Sequence, residues 1–194
     1  MEEISIICLL PSEVNDYCLE MRQKIANQFG IKMKHRIPAH ITLKYGFPVK
    51  DIKDINEIEE VIEEFCLSHP KTKWEICDFG YFVNPEKHVV FIDSIPKEDT
   101  RKIHGEFLDN LSKIKWVKWG PFDSADLHYH VTLASKGITA SNFNEVWSYL
   151  NQLEKPNFEI YFDNLALLRI EKDPPSVYNK FRFPESGIAN PRST

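Results

Sequence analysis

Ala39-His40-Ile41-Thr42-Leu43 and Tyr129-His130-Val131-Thr132-Leu133 are two copies of one pattern, with the histidines 90 residues apart. In a strand, alternate side chains share a face. His40 and Thr42 therefore point one way, and Ile41 and Leu43 the other; His130 and Thr132 stand likewise against Val131 and Leu133. The apolar pairs are expected to pack inward, which leaves the His/Thr pairs facing a cleft.

Each copy sits at the same point of a longer repeat. Ahead of the first, residues 4–10 form an apolar run that ends at Pro11. Val14, Tyr17, Cys18, Met21, Ile25 and Phe29 then trace one helix face, with Ser12 as cap and Gly30 as stop. After it, Ile52, Ile55, Ile58, Ile62 and Phe65 trace a second helix, and residues 71–82 read as a strand. Ahead of the second copy, residues 89–95 form an apolar run ending at Pro96, which lies 85 residues after Pro11. A helix follows, carrying Ile103, Phe107, Leu108, Leu111 and Ile114. After it, Phe143, Val146, Trp147, Leu150 and Leu153 predict another helix with Ser141 as cap, and 157–171 and 177–183 read as strands.

The order strand, helix, His-strand, helix, strand thus occurs twice, over about 4–86 and 88–183, with 186–194 as a loose tail. A duplication of this period predicts two similar lobes about an approximate two-fold axis. The expected fold is α+β, a single bilobal domain spanning 1–194: each lobe is an antiparallel sheet covered by helices, with the active cleft between them.

The chain has 194 residues, 42% hydrophobic and 27% charged, with a formal charge of −5. An acidic total argues against a long duplex nucleic acid as partner, since phosphate contacts dominate that affinity. A small cleft with local positive groups remains compatible with it. No apolar run approaches the ~20 residues a bilayer needs, and the acidic start Met1-Glu2-Glu3 is unlike a secretory signal. Cys8, Cys18, Cys66 and Cys77 form no Cys-x-x-Cys pair and read as buried, reduced thiols of a cytoplasmic protein.

Two imidazoles flanking one phosphorus suit phosphodiester cleavage. One takes the proton of the nucleophile and the other delivers a proton to the leaving oxygen. Histidine's ordinary pKa of ~6.5 allows both roles near neutral pH. Threonine hydroxyls can donate to the non-bridging oxygens. The scheme requires no metal and no cofactor. His128 shares a strand face with His130, but no neighbouring Cys or carboxylate has a familiar zinc spacing. His128 is therefore expected at the cleft edge, and Asp123 and Asp126 in a loop.

The paired motifs and the repeat order, which span nearly the whole chain, resemble the two-histidine phosphoesterases. These include 2′-5′ RNA ligase-like proteins and cyclic phosphodiesterases. The resemblance implies a bilobal α+β fold, His40 and His130 as the acid/base pair, and Thr42 and Thr132 as phosphate holders. In many ligase-like members an arginine closely follows the second motif. Here the stretch is Leu133-Ala134-Ser135-Lys136, and Lys136 replaces it in part.

Further candidates for substrate contact are Lys44, on the His face by alternation, and Tyr129 and Tyr178, near strand ends with Tyr45, Phe47 and Tyr81. Lys180, Arg182 and the basic cluster Lys34, His35 and Arg36 are weaker candidates. Trp74, Trp116, Trp119 and Trp147 read as packing. The expected activity is a metal-independent phosphodiesterase acting on 2′,3′-cyclic phosphate or 2′-5′-linked nucleotides or RNA ends, in a monomer. Alternatives are turnover of cyclic or 2′-5′ oligonucleotide messengers, a nucleotide-binding module with little turnover, and ligation as the reverse reaction.

Overall fold

The chain alternates strands and helices in the expected order. The structure, a computed structural model, describes residues 2–31, 37–84, 88–170 and 175–185. The basic cluster 34–36 and the tail 186–194 lie outside the described residues. The elements are β1 (Glu2–Leu9), α1 (Ser12–Phe29), β2 (His40–Val49), α2 (Ile52–Ser68), β3 (Thr72–Val83), β4 (His88–Pro96), α3 (Glu98–Leu111), β5 (His130–Ala134), α4 (Phe143–Asn151), β6 (Asn157–Phe162), β7 (Asn164–Arg169) and β8 (Ser176–Arg182).

They form two four-stranded sheets, β2-β1-β7-β8 and β5-β4-β3-β6, in which every pairing is antiparallel. Each sheet draws strands from both sequence repeats. β3 ends the first repeat but pairs with β4, and β7, late in the second repeat, pairs with β1. The lobes are therefore interleaved, and one apolar core runs beneath both sheets.

The segment 157–171, which reads as one strand, is two, and they belong to different sheets. The change of sheet occurs at Asp163 and Asn164. The buried Asn164 amide accepts from the Leu9 N–H at 2.9 Å and donates to the Leu9 carbonyl at 2.9 Å. A side chain thus takes the place of a ladder pair where β1 ends.

Helix ends follow local chemistry. Gly30 takes the left-handed conformation at φ 63° and closes α1. Asp51 caps α2 by accepting from the backbone N–H groups of Lys53 and Asp54. Neither serine expected as a cap performs that role: Pro11 precedes α1 and Asn142 precedes α4, without a side-chain cap bond in either case.

Both motif strands bulge at the same place. The β1–β2 register steps from Ile7↔Thr42 to Ile6↔Lys44, and the β4–β5 register from Phe91↔Thr132 to Val90↔Ala134. One extra residue, the motif leucine, enters each strand and reverses the alternation beyond it. Lys44 is therefore turned to the core face beside Ile6, and Ala134 beside Val90.

Candidate active site

His40 and His130 are held alike. The Nδ1 of His40 lies 2.8 Å from the Pro38 carbonyl, and that of His130 lies 2.9 Å from the His128 carbonyl. A carbonyl only accepts, so each Nδ1 carries the proton. Nε2 is then the ring nitrogen left for substrate. In each motif the bond runs to the residue two positions back, so the repeat extends to the tautomer.

Their surroundings differ. His40 pairs with Leu9, and Thr42 with Ile7. The sheet around them is apolar, with Ile7, Ala166 and Leu168 buried together and Leu9, Ile37 and Val177 against them. Burial first, and then positive charge on Arg22 or His130, bring the pKa of His40 down to about 4 against the opposing hydrogen bond to the Pro38 carbonyl. His130 pairs with Asp93 and is also lowered by burial, while the Asp93 carboxylate opposes the shift. Its ring packs on Phe82 and Phe91 at 5.1 and 5.0 Å between centroids. Phe91 can lie there because it crosses Gly80, where a Cβ would come within 2.2 Å of its ring. His128 bonds to Asp93 at 2.5 Å.

Helices brace the two motif strands. Arg22, a buried residue of α1, donates to the Ile37 carbonyl at 2.7 Å and to the Thr132 carbonyl at 2.9 Å. One guanidinium thus joins the lead into His40 to the second motif. On α3, His104 donates from Nε2 to the Leu43 carbonyl at 3.0 Å, and its Nδ1 lies 2.6 Å from the Tyr129 hydroxyl.

A cavity of about 870 Å³ opens on this arrangement, lined by Thr42, His128, His130 and Thr132 together with Tyr45, Phe122 and neighbours. The half-buried His40 lies two residues before Thr42 on the same face. Three of the four motif side chains thus line the cavity wall; His40 is not among the lining residues.

Several expected contacts lie elsewhere. Lys44 is buried and paired with Asp123 at 2.9 Å, because the bulge at Leu43 inverts the alternation that would have put it in the cleft. Tyr129 is buried, on the same strand face as Val131 and Leu133, and its hydroxyl lies near His104 and the Ala125 carbonyl. Tyr178 packs against the main core, with the Arg169 guanidinium 4.0 Å from its ring. Lys136 is exposed in the turn after the cavity residue Ser135. Phe47 is buried, and Tyr81 packs on Phe143 and Trp147 of α4. Trp119 is partly exposed, with the buried Lys44 ammonium 5.1 Å from the centre of its ring, and Cys77 is only partly buried.

Sequence reasoning missed Arg22 and His104, although a signal was present. Each is a polar residue set among the apolar positions of its helix, Arg22 between Cys18 and Ile25, and His104 between Ile103 and Phe107. Among the described residues, no group of three or more His, Cys, Asp or Glu could hold a metal ion.

A model of the 2′-5′ RNA ligase superfamily matches residues 11–174. No curated protein matches the chain. Among solved structures it is similar to TT0787 of Thermus thermophilus, at 18% identity and a TM-score of 0.69, covering 94% of this chain and 98% of that one. It is also similar to E. coli LigT complexed with 3′-AMP, at 12% identity and a TM-score of 0.63, covering 94% and 97%. LigT has further been solved with NADP+ and with ATP. At these identities the likeness to solved structures is one of fold.

Proposed function

The chain belongs to the 2′-5′ RNA ligase superfamily, and from that premise we propose that it is a metal-independent phosphodiesterase that opens 2′,3′-cyclic phosphates or cleaves 2′-5′-linked nucleotides at RNA ends. Membership supports an enzyme of phosphodiester bonds. The observation that carries the finer reading is the matched pair of histidines, each held in the same tautomer by the carbonyl two residues back.

To open a cyclic phosphate, His40 Nε2 takes a proton from water as its oxygen attacks phosphorus. His130 Nε2 donates a proton to the departing ribose oxygen, and the product is a phosphomonoester. Thr42 and Thr132 donate to the non-bridging oxygens as charge builds there. The surroundings divide the roles. Burial lowers both histidines, but the shift at His40, to about 4 and with Arg22 adding to it, is large and keeps that ring neutral and able to accept, whereas at His130 the His128 carbonyl and, more weakly, Asp93 oppose the burial. A bound phosphate raises both pKa values, and His130, with a carboxylate beside it, takes the proton first.

The nucleotides seen in LigT crystals support a nucleotide ligand. Lys136, exposed beside the cavity, is retained as a contact for a further phosphate. No described helix is long and apolar enough to cross a membrane; a cytoplasmic monomer is part of the proposal.

The test is turnover of 2′,3′-cyclic nucleotides and 2′,5′-linked dinucleotides in the presence of chelator, comparing wild type with His40→Ala and His130→Ala. Metal-independent turnover lost in both variants is expected. Turnover that survives either substitution would reject the mechanism.

A further inference from the structure

The two motifs differ at the position that holds each histidine. The first reads Pro38-Ala39-His40 and the second His128-Tyr129-His130. The carbonyl that accepts from the motif Nδ1 thus belongs to a proline in one copy and to a histidine in the other. The ring of Pro38 fixes its own φ, so that carbonyl is steadied by a covalent constraint. His128 has none. It lies just ahead of β5, at the end of the irregular stretch that follows α3.

A second device takes the proline's place. His128 donates from Nε2 to the Asp93 carboxylate at 2.5 Å. Asp93 lies on β4, which is paired on both sides, and stands directly opposite His130 in the ladder. The His128 ring also packs edge-on against Phe82 and Phe91, at 5.2 and 5.3 Å between centroids. These are the two rings that support His130, and they lie 4.4 Å from each other between centroids. The tip of the His128 side chain is therefore tied to β4, and its face rests on the platform that seats His130.

Exposure argues against a role in packing alone. The His128 side chain is 54% exposed and that of Asp93 33%. A pair so open to solvent contributes little to stability. What the bond does is hold the His128 backbone where its carbonyl meets His130 Nδ1. We propose, on the reading that His130 is an acid of phosphodiester cleavage, that Asp93 and His128 are positioning residues for it. Their bond fixes the tautomer and aim of the His130 ring, as the pyrrolidine of Pro38 does for His40.

The experiment compares wild type with His128→Asn, His128→Gln, Asp93→Ala and the double variant Asp93→Ala/His128→Asn. Glutamine places an amide nitrogen near the position of Nε2 and can still reach Asp93, whereas asparagine is too short. In turnover of 2′,3′-cyclic nucleotides, His128→Asn and Asp93→Ala should each lower kcat about ten- to a hundredfold, with KM and melting temperature close to wild type. The double variant should lose no more than either single one, and His128→Gln should recover most of the loss. Nitrogen-15 spectra of the His130 ring give a readout that needs no substrate. Wild type and His128→Gln should show the Nδ1–H tautomer alone, and His128→Asn and Asp93→Ala a mixture with Nε2–H. Losses that multiply in the double variant, an equal loss in His128→Gln, or a tautomer unchanged by breaking the bond would overturn the proposal. Failure of the phosphodiesterase reading would instead show as no turnover in wild type while the His130 tautomer still follows the Asp93–His128 bond.

Discussion

Arg22 and His104 brace the cleft from opposite sides: Arg22, on the helix after β1, reaches the Thr132 carbonyl in β5, and His104, on the helix after β4, reaches the Leu43 carbonyl in β2. Both acceptors lie at the motif bulges, where the ladder is locally disrupted. Each helix therefore satisfies a carbonyl of the other sheet and fixes the separation of the two motifs.

Replacing Arg22 with Met should leave the Ile37 and Thr132 carbonyls without this donor and cost about 2–4 kcal/mol of stability. The same substitution removes a positive charge that lowers the pKa of His40, so that pKa should rise. The acid limb of kcat/KM should move to higher pH. Urea unfolding and a pH–rate profile test both effects, and an unchanged limb would show that Arg22 only packs.

His104 makes the fold sensitive to acid. Burial pushes its pKa down to about 4, whereas the unfolded chain restores ~6.5. Between those values the unfolded state binds a proton that the folded state does not. Its contribution is complete above pH 6.5 and is lost progressively as pH falls toward 4, by up to about 3 kcal/mol. His104→Gln keeps a donor for the Leu43 carbonyl and cannot titrate. Its melting temperature should start lower than wild type at pH 7.5 and fall less between pH 6.5 and 4.5. Parallel curves would contradict the assignment.

Gly80 controls His130 through Phe91. A methyl group at position 80 would meet the Phe91 ring at 2.2 Å, and that ring lies 5.0 Å from His130 between centroids. Gly80→Ala should cost about 1–3 kcal/mol through overpacking and, if His130 is the acid as proposed, reduce kcat more than it raises KM, since the ring displaced is the one that packs on His130. Restoration of kcat in the double variant Gly80→Ala/Phe91→Leu, which relieves the clash, would confirm the route. A defect confined to stability would refute it.

Much of this was legible because it is periodic. The two-fold repeat, the apolar helix faces and the four motif residues follow from spacings of two and three to four. The interleaving of the sheets was not, because pairing β3 with β4 and β7 with β1 depends on which edges meet in space. Strict alternation puts Lys44 in the cleft, and the bulge that turns it inward carries no mark in the sequence. Arg22 and His104 each stand among the apolar positions of a helix, and nothing in that spacing tells which carbonyls they reach. Phe122 sits in a loop, where no periodicity distinguishes a displayed ring from a packed one.

The ion pair that replaced the expected cleft lysine yields the most discriminating stability test. The Lys44 and Asp123 side chains are each only 1% exposed, so removing one partner leaves the other buried, at a cost of about 3–5 kcal/mol, and removing both costs less than the sum. The two single losses should differ. In Lys44→Met the Asp123 carboxylate retains the backbone N–H groups of Tyr45 and Gly120. In Asp123→Leu the Lys44 ammonium retains the Tyr45 and Lys118 carbonyls and the faces of Phe47 and Trp119 but no counter-charge, and burial, which already lowers its pKa, drives it toward the neutral amine. Asp123→Leu should therefore be the less stable single variant, most visibly below pH 7, where neutralising the lysine is hardest. The double variant Lys44→Met/Asp123→Leu should recover stability while still loosening the loop that carries Phe122. Urea unfolding at pH 6 and pH 9 measures this: a loss in Asp123→Leu that shrinks at pH 9 identifies a buried unpaired ammonium, and additive losses at both pH values would show that the two charges act independently.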